Sequence, residues 1–376
     1  MFVNSFYSST SDSCGISIFN RHLRDALSHR GFRILDTNLR IATGVISTSV
    51  GILHYVPGGF TSPEAANALI QLLVSRQRSQ KLFVILHGLY SYEEHCLLDD
   101  VRCRKQEQHI RLMLQTADSI SALSDSAAKA CRTWQIRFGG RARLLRLDHP
   151  GLFAPTPRVT TTRGSYALVG GISKSKKIHT TGSILTLLDL CRRQGLRVWE
   201  HWTNLPTSAW TPQAWKRTFG LLSDIQWGEL VSNARVVLCP YQTRYQSVSG
   251  LISEALSAHR FVLSTSFKLA LEMRERYPAL MLIEDDLQRW PHLIRHLPRS
   301  NSCITTAVPT WDSFASSMAL ELSTAASEIT GSAGQSLLQR QHTPPEKRSV
   351  ARRWAAQEQM RVTQKGKLPA LPGSFN

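Results

Sequence analysis

The stretch from Asp224 to Met273 constrains the fold of this chain more than any other. Two short apolar runs in it, Val236–Cys239 and Phe261–Leu263, predict buried parallel strands. Between them lie a polar loop, Tyr241 to Gly250, and a helical pattern that opens with Leu251-Ile252-Ser253-Glu254-Ala255-Leu256. Ser247, Ser249 and Gly250 stand where that helix begins. A small-residue loop feeding a helix N-terminus presents unpaired N–H groups and the positive dipole end to an anion. Glu254 falls about one turn into the helix, where a carboxylate can accept hydroxyl hydrogen bonds. The pattern therefore suits a nucleoside diphosphate, with amides for the phosphates and a carboxylate for the ribose. It equally suits a plain strand–loop–helix unit with an N-cap serine and a first-turn glutamate.

The rest of the chain divides into two α/β halves. In the first, Phe2–Tyr7 predicts a strand, a Ser/Thr-rich loop reaches Gly15, and an amphipathic helix over 18–27 is closed by Gly31 before a second strand at 32–35. Lys81–Leu86 predicts a strand that ends in His87-Gly88, and residues 117–124 predict another. A histidine at the carboxyl end of a parallel strand sits at the rim where open α/β sheets bind ligands. Pro155 to Gly164 has linker composition. The second half opens with a strand over 166–172 and the basic loop Ser173-Lys174-Ser175-Lys176-Lys177, followed by a strand over 197–202. The expected domains are 1–157 and 165–325, with a basic tail over 332–376. A chain of 376 residues with 42% hydrophobic and 19% charged residues is long and apolar enough for two cores.

These segments together resemble the GT-B glycosyltransferases, which have two facing Rossmann-like domains with a cleft between them, and most of all the retaining enzymes of family 4. Pro240, Ser247-Val248-Ser249-Gly250 and Glu254-Ala255 stand where that family has a strand-ending proline, a small-residue loop and a Glu-Ala helix. Thr310-Trp311-Asp312-Ser313-Phe314-Ala315 resembles the start of its closing helix, and the match runs from about residue 1 to 325. The resemblance implies an α/β GT-B fold and transfer of a hexose from a nucleotide sugar, with retention and without a metal. It assigns His87 and Glu254 as catalytic residues. Donor binding falls to Gly15, Lys176, Lys177, Gln246, Ser247, Ser249, Gly250 and Glu254. The sequence departs from the family in three places: Gln246 replaces an acid, Gly171 stands where an arginine is usual, and His259-Arg260-Phe261-Val262 replaces a Gly-x-Pro-Val pattern. Arg244 is a candidate to supply the missing arginine. An inverting reaction would instead need a base in the first half, for which Glu93, Glu94 and His87 are the nominees.

The net charge of +18 points to anionic partners. The tail from Gly331 onward holds eight basic residues against two acidic ones. A second run, Lys129, Arg132, Arg137, Arg141, Arg143 and Arg146, has no acid inside it. The expected partners are a nucleotide sugar and a glycan or lipid-linked glycan acceptor, with peripheral contact to an anionic membrane and, less favoured, nucleic acid. No cofactor beyond the donor is expected. Seven scattered cysteines without a C-x-x-C pair, and no signal-peptide pattern at the N-terminus, suggest a cytoplasmic protein, including one at the inner face of a membrane. Asp99-Asp100 and Asp285-Asp286 read as caps or solvated acids rather than metal ligands. The competing functions are a GT-B-like binding protein without turnover, for glycans, nucleotides or nucleic acid, and a nucleotide-sugar epimerase of the same architecture.

Overall fold

The computed structural model describes residues 1–8, 15–40, 46–77, 80–96, 101–153, 166–172, 181–202, 215–241, 249–298 and 308–339. Met1–Ser327 form one compact unit and Glu328–Asn376 a second. The linker expected over 155–164 and the loops carrying Lys176, Lys177, Gln246 and Ser247 lie outside the described residues.

The first half contains β1 (Phe2–Tyr7), α1 (Gly15–Ser28), β2 (Arg33–Asn38), β3 (Val50–Tyr55), α2 (Pro63–Ser75), β4 (Lys81–Leu86), α3 (Tyr92–Cys96), α4 (Val101–Thr116), β5 (Ser119–Ala122), α5 (Asp125–Phe138) and β6 (Arg143–Arg146). The strands form a six-stranded sheet in the order β2-β1-β3-β4-β5-β6, parallel throughout. Parallel strands are joined by helices that cover both faces, so the central ones read as continuous apolar runs. In β3 all six residues are buried. Gly51 and His54 interrupt the hydrophobic pattern of that strand, and the sequence alone did not mark it as one. Gly31, in the left-handed region at φ +82°, turns the chain from α1 into β2, as its position predicts.

The second half contains β7 (Tyr166–Ile172), α6 (Thr181–Arg193), β8 (Val198–Trp202), β9 (Lys216–Phe219), α7 (Asp224–Ser232), β10 (Ala234–Cys239), α8 (Gly250–Ser257), β11 (Phe261–Ser264), α9 (Lys268–Arg276), β12 (Met281–Ile283), α10 (Trp290–His296) and α11 (Trp311–Gln339). Its sheet runs β12-β11-β10-β7-β8-β9, again all parallel. The order reverses between β7 and β10, and ligands of open α/β sheets bind outside the strand ends at such a point. The α/β class with two Rossmann-like sheets is as expected. The expected tail begins at 332, but α11 carries the helix on to Gln339, and 340–376 lies outside the described residues.

A polar seam joins the halves. The Glu272 carboxylate, on α9, accepts from the amides of Asp125 and Ser126 at 2.9 and 3.0 Å and from the Ser126 hydroxyl at 3.0 Å. It thus caps α5 of the first half from the second, replacing water on orphaned helix-end donors. Arg276 binds Asp148 through two nitrogens at 2.5 and 3.0 Å, and Arg146 reaches Asp125 and Asp148 at 2.7 Å. Lys268 pairs with Glu94. Beyond the ion pairs, Gly151 N–H donates to Pro309 O at 2.9 Å and Leu152 N–H to the Ser257 hydroxyl at 3.0 Å. The start of α11 returns to the first half, where Arg30 holds Asp312 and Ser316 and Arg143 holds Glu321.

Two arginines of the basic run in the first half enter these contacts. Arg146 pairs across the seam with Glu272 and Arg143 with α11, and Arg137 lies 5.4 Å from the Tyr92 ring. Lys129, Arg132 and Arg141 are exposed.

A methyl group at Gly151 would overlap the Ser257 side chain, whose hydroxyl accepts the Leu152 amide. The Gly151→Ala variant is expected to lose about 1–3 kcal/mol of stability in chemical denaturation, the usual range for overpacking. A wild-type midpoint would show that the seam yields freely at this point.

Candidate functional site

The strands and the helix of the opening segment form as read, and the loop over 242–248 between β10 and α8 lies outside the described residues. β10 ends at Cys239, and α8 begins at Gly250 with Ser249 as its N-cap in extended backbone. The Ser249 hydroxyl accepts the Ile252 amide at 3.5 Å and meets the Tyr241 hydroxyl at 3.0 Å. Its side chain is buried against these partners, so what this residue offers a ligand is the helix end and not its hydroxyl. Gly250 is the first helical residue, and Glu254 lies one turn further along the same face.

Glu254 is oriented from α7, the helix that precedes β10. Trp227, on α7, donates its indole N–H to Glu254 Oε2 at 2.9 Å. The Trp227 ring covers the backbone of β7 at Gly170, where an added Cβ would lie 2.8 Å from Cη2. Only glycine leaves room there. A centroid distance of 5.5 Å separates Trp227 from His201, whose Nδ1 meets the Thr218 hydroxyl at 3.0 Å.

From the first half, Phe19 on α1 forms the hub of an aromatic cluster. Its ring centroid is 4.3 Å from His87, 5.3 Å from His149, 5.8 Å from His54, 4.9 Å from Trp311 and 5.7 Å from Phe314. His149 follows β6 and approaches α8: a Cβ added at Gly250 would lie 3.5 Å from its ring. The structure therefore brings His87, Gly250 and Glu254 into one region. Gly15 opens α1 one turn before Phe19.

Of the cluster's histidines His54 is buried and His87 and His149 are half-buried, and all three are held neutral near pH 7. His87 is half-buried, and its Nε2 is sealed from solvent with no partner among the described residues. Burial, then the neighbouring His54 and His149, hold its pKa well below the ordinary 6.5. His54, wholly buried in β3, meets the Ser5 hydroxyl at 3.3 Å, and its pKa falls to about 3 through burial. Ser5 donates to Asn20 at 2.6 Å and Asn20 to Asp36 at 2.9 Å, so a polar chain runs beneath the cluster. Burial also lowers His149 and His201 to about 4. His22 meets Asp224 of the second half at 2.8 Å and stacks on Phe153 at 4.2 Å.

The other base nominees sit less well. Glu93 is exposed. Burial raises the Glu94 pKa, but Lys268 and Ser91 outweigh it and hold the carboxyl below its ordinary value, which makes it a weak base. Asp285 accepts from the Ser266 amide and hydroxyl, both at 2.6 Å, and Asp286 accepts the Gln288 amide at 2.9 Å, so this pair serves as caps. Among the described residues no group of three or more His, Cys, Asp or Glu is arranged to hold a metal. No described helix is long and apolar enough to cross a membrane.

A scan against protein-family models finds no match, and neither does a search of curated proteins. Solved structures do match. A trehalose-6-phosphate synthase from Burkholderia multivorans is 10% identical at a TM-score of 0.55, over 92% of this chain and 99% of that one. WaaG, a glycosyltransferase involved in lipopolysaccharide biosynthesis, is 12% identical at 0.53, over 84% and 94%. An α-glucosyltransferase in complex with UDP and a DNA 13-mer containing an HMU base is 10% identical at 0.52, over 80% and 90%. The fold of this chain is that of the GT-B glycosyltransferases.

Two consequences can be measured. His54, His87, His149 and His201 all have folded pKa values below 6.5, so the unfolded chain takes up their protons first as pH falls. Stability is expected to be level above about pH 7 and to drop between about pH 6.5 and 4.5, each such histidine adding up to about 1.4 kcal/mol per pH unit. Denaturant midpoints unchanged between pH 7 and 5 would contradict this. Separately, Trp227→Phe keeps an aromatic ring on α7 but removes the bond to Glu254 and the indole edge over Gly170. It should cost about 0.5–2 kcal/mol of stability, measured by the same melts, and a wild-type midpoint would contradict the bond's contribution.

Proposed function

We propose that this chain is a glycosyltransferase that moves a hexose from a nucleotide sugar to a glycan or lipid-linked glycan acceptor. The observation that carries this reading is the position of Gly250 and Glu254, at the carboxyl end of β10 beside β7, where the strand order of the second sheet reverses. That is where an open α/β sheet takes a nucleotide, with the N-terminus of α8 toward the phosphates. Support also comes from the matched structures, one holding UDP and another acting in lipopolysaccharide biosynthesis.

In this reading the bond from the sugar's anomeric carbon to the diphosphate oxygen breaks. The diphosphate leaves with the electron pair and takes up the proton that the acceptor hydroxyl loses as its oxygen forms the new bond. The α8 amides and Lys176 or Lys177 stabilise the charge on the leaving diphosphate without calling on a metal. Glu254, held by Trp227, accepts hydroxyl bonds from the donor. His87 is the residue that the resemblance to family 4 directs at the transferred sugar. Retention follows from the resemblance to family 4. The exposed basic residues favour an anionic or membrane-associated acceptor.

The test is release of nucleoside diphosphate from a panel of UDP-, GDP- and ADP-hexoses, with and without candidate acceptors. One donor should be turned over, and Glu254→Ala should lower kcat/KM by roughly ten- to a hundredfold, the worth of a charge-assisted hydrogen bond. No release from any donor, together with tight and salt-sensitive polyanion binding, would instead identify a binding protein.

A further inference from the structure

Helix α5 has two faces of different chemistry. Ala127, Ala130, Cys131 and Trp134 are buried on one side. Lys129, Arg132 and Ile136, spaced at i, i+3 and i+7, run along the other and are exposed. The helix carries one acid, Asp125, and Arg146 binds it at 2.7 Å.

The positive charge continues past the helix end. Gly139 and Gly140, at φ +68° and +148°, turn the chain back onto α4, where the Arg141 amide donates to Leu114 O at 3.2 Å. Arg141 is exposed beside this turn. Arg137 lies 5.4 Å from the Tyr92 ring and Arg111 of α4 lies 5.7 Å from the Phe138 ring, and both are exposed.

Ile136 stands among these charges at 85% exposure, the highest of any large hydrophobic residue among those described. A single apolar residue on a surface is ordinary. One set between cations restricts the partner further. A nucleic-acid backbone would pair the cations and leave the isoleucine against charge. An anionic bilayer presents headgroup phosphates with hydrocarbon beneath them, so the cations pair and the side chain leaves water in one approach.

We propose that the exposed face of α5, centred on Lys129, Arg132 and Ile136 and flanked by Arg137 and Arg141, docks this protein on an anionic lipid surface. Arg143 and Arg146, which the fold already pairs, take no part. The inference goes beyond the transfer reaction, since vesicle binding and diphosphate release are separate measurements and either can fail without the other.

The test is flotation of the full chain with vesicles of phosphatidylcholine, alone or mixed equally with phosphatidylglycerol. The variants are Lys129→Gln with Arg132→Gln, Ile136→Ser, and a charge-matched control, Arg192→Gln with Arg193→Gln, exposed on α6 of the second half. Circular dichroism and thermal melts confirm that each folds. Wild type should bind the anionic vesicles and not the neutral ones. The α5 pair should weaken that binding by roughly ten- to thirtyfold, and the control pair should stay within about twofold of wild type. Ile136→Ser should weaken it by about five- to tenfold without changing affinity for duplex DNA. Equal losses in the α5 pair and the control pair would assign the binding to net charge and overturn the proposal. Wild-type vesicle binding by Ile136→Ser would reduce the face to a general polyanion site, as for nucleic acid, and wild-type binding by the α5 pair would place the contact elsewhere. Either result would overturn it as well.

Discussion

The arrangement of the two halves depends on one buried carboxylate. Glu272 leaves α9 in the second half and closes the N-terminus of α5 in the first, taking two backbone amides and a hydroxyl. A carboxylate this buried is tolerated only when paired and hydrogen-bonded, and Arg146 and Arg276 complete the set. The same arginines hold Asp148, the residue immediately before His149. The ion cluster that locks the halves together therefore also fixes the loop that carries His149 to Gly250. Site geometry and domain geometry share one cause.

What the sequence made legible follows from range. β10, α8 and β11 could be read because parallel strands are apolar runs and because Ser249 and Gly250 mark a helix start in local chemistry. The β1–α1–β2 unit was readable for the same reason, with Gly31 as its punctuation. β3 was not, since His54 and Gly51 broke the run that burial on both faces would otherwise produce. Trp227 and His149 were also passed over as site residues. Each acts on a partner far along the chain: Trp227 on Glu254, and His149 on a glycine about a hundred residues away. Such pairings leave no periodicity and no spacing to read. In the basic run from Lys129 to Arg146 the fold pairs Arg143 and Arg146 and leaves Lys129, Arg132 and Arg141 exposed, a division that a list of charges does not show.

The chemistry that emerges is that of a dry, neutral wall facing a charged one. From the first half come Phe19 and three histidines whose burial keeps them uncharged near neutral pH. From the second come a helix N-terminus and a carboxylate locked by an indole. Neutral acceptors suit sugar hydroxyls, and the helix end suits phosphate. A nucleotide sugar carries both kinds of group.

The central claim is that both halves contribute to one ligand site, and hydrogen exchange with and without a bound nucleotide sugar tests it most directly. The account predicts that the ligand slows exchange in two separate segments, around 149–152 and around 250–256. Protection confined to the second half, with the first exchanging as in the free protein, would contradict it.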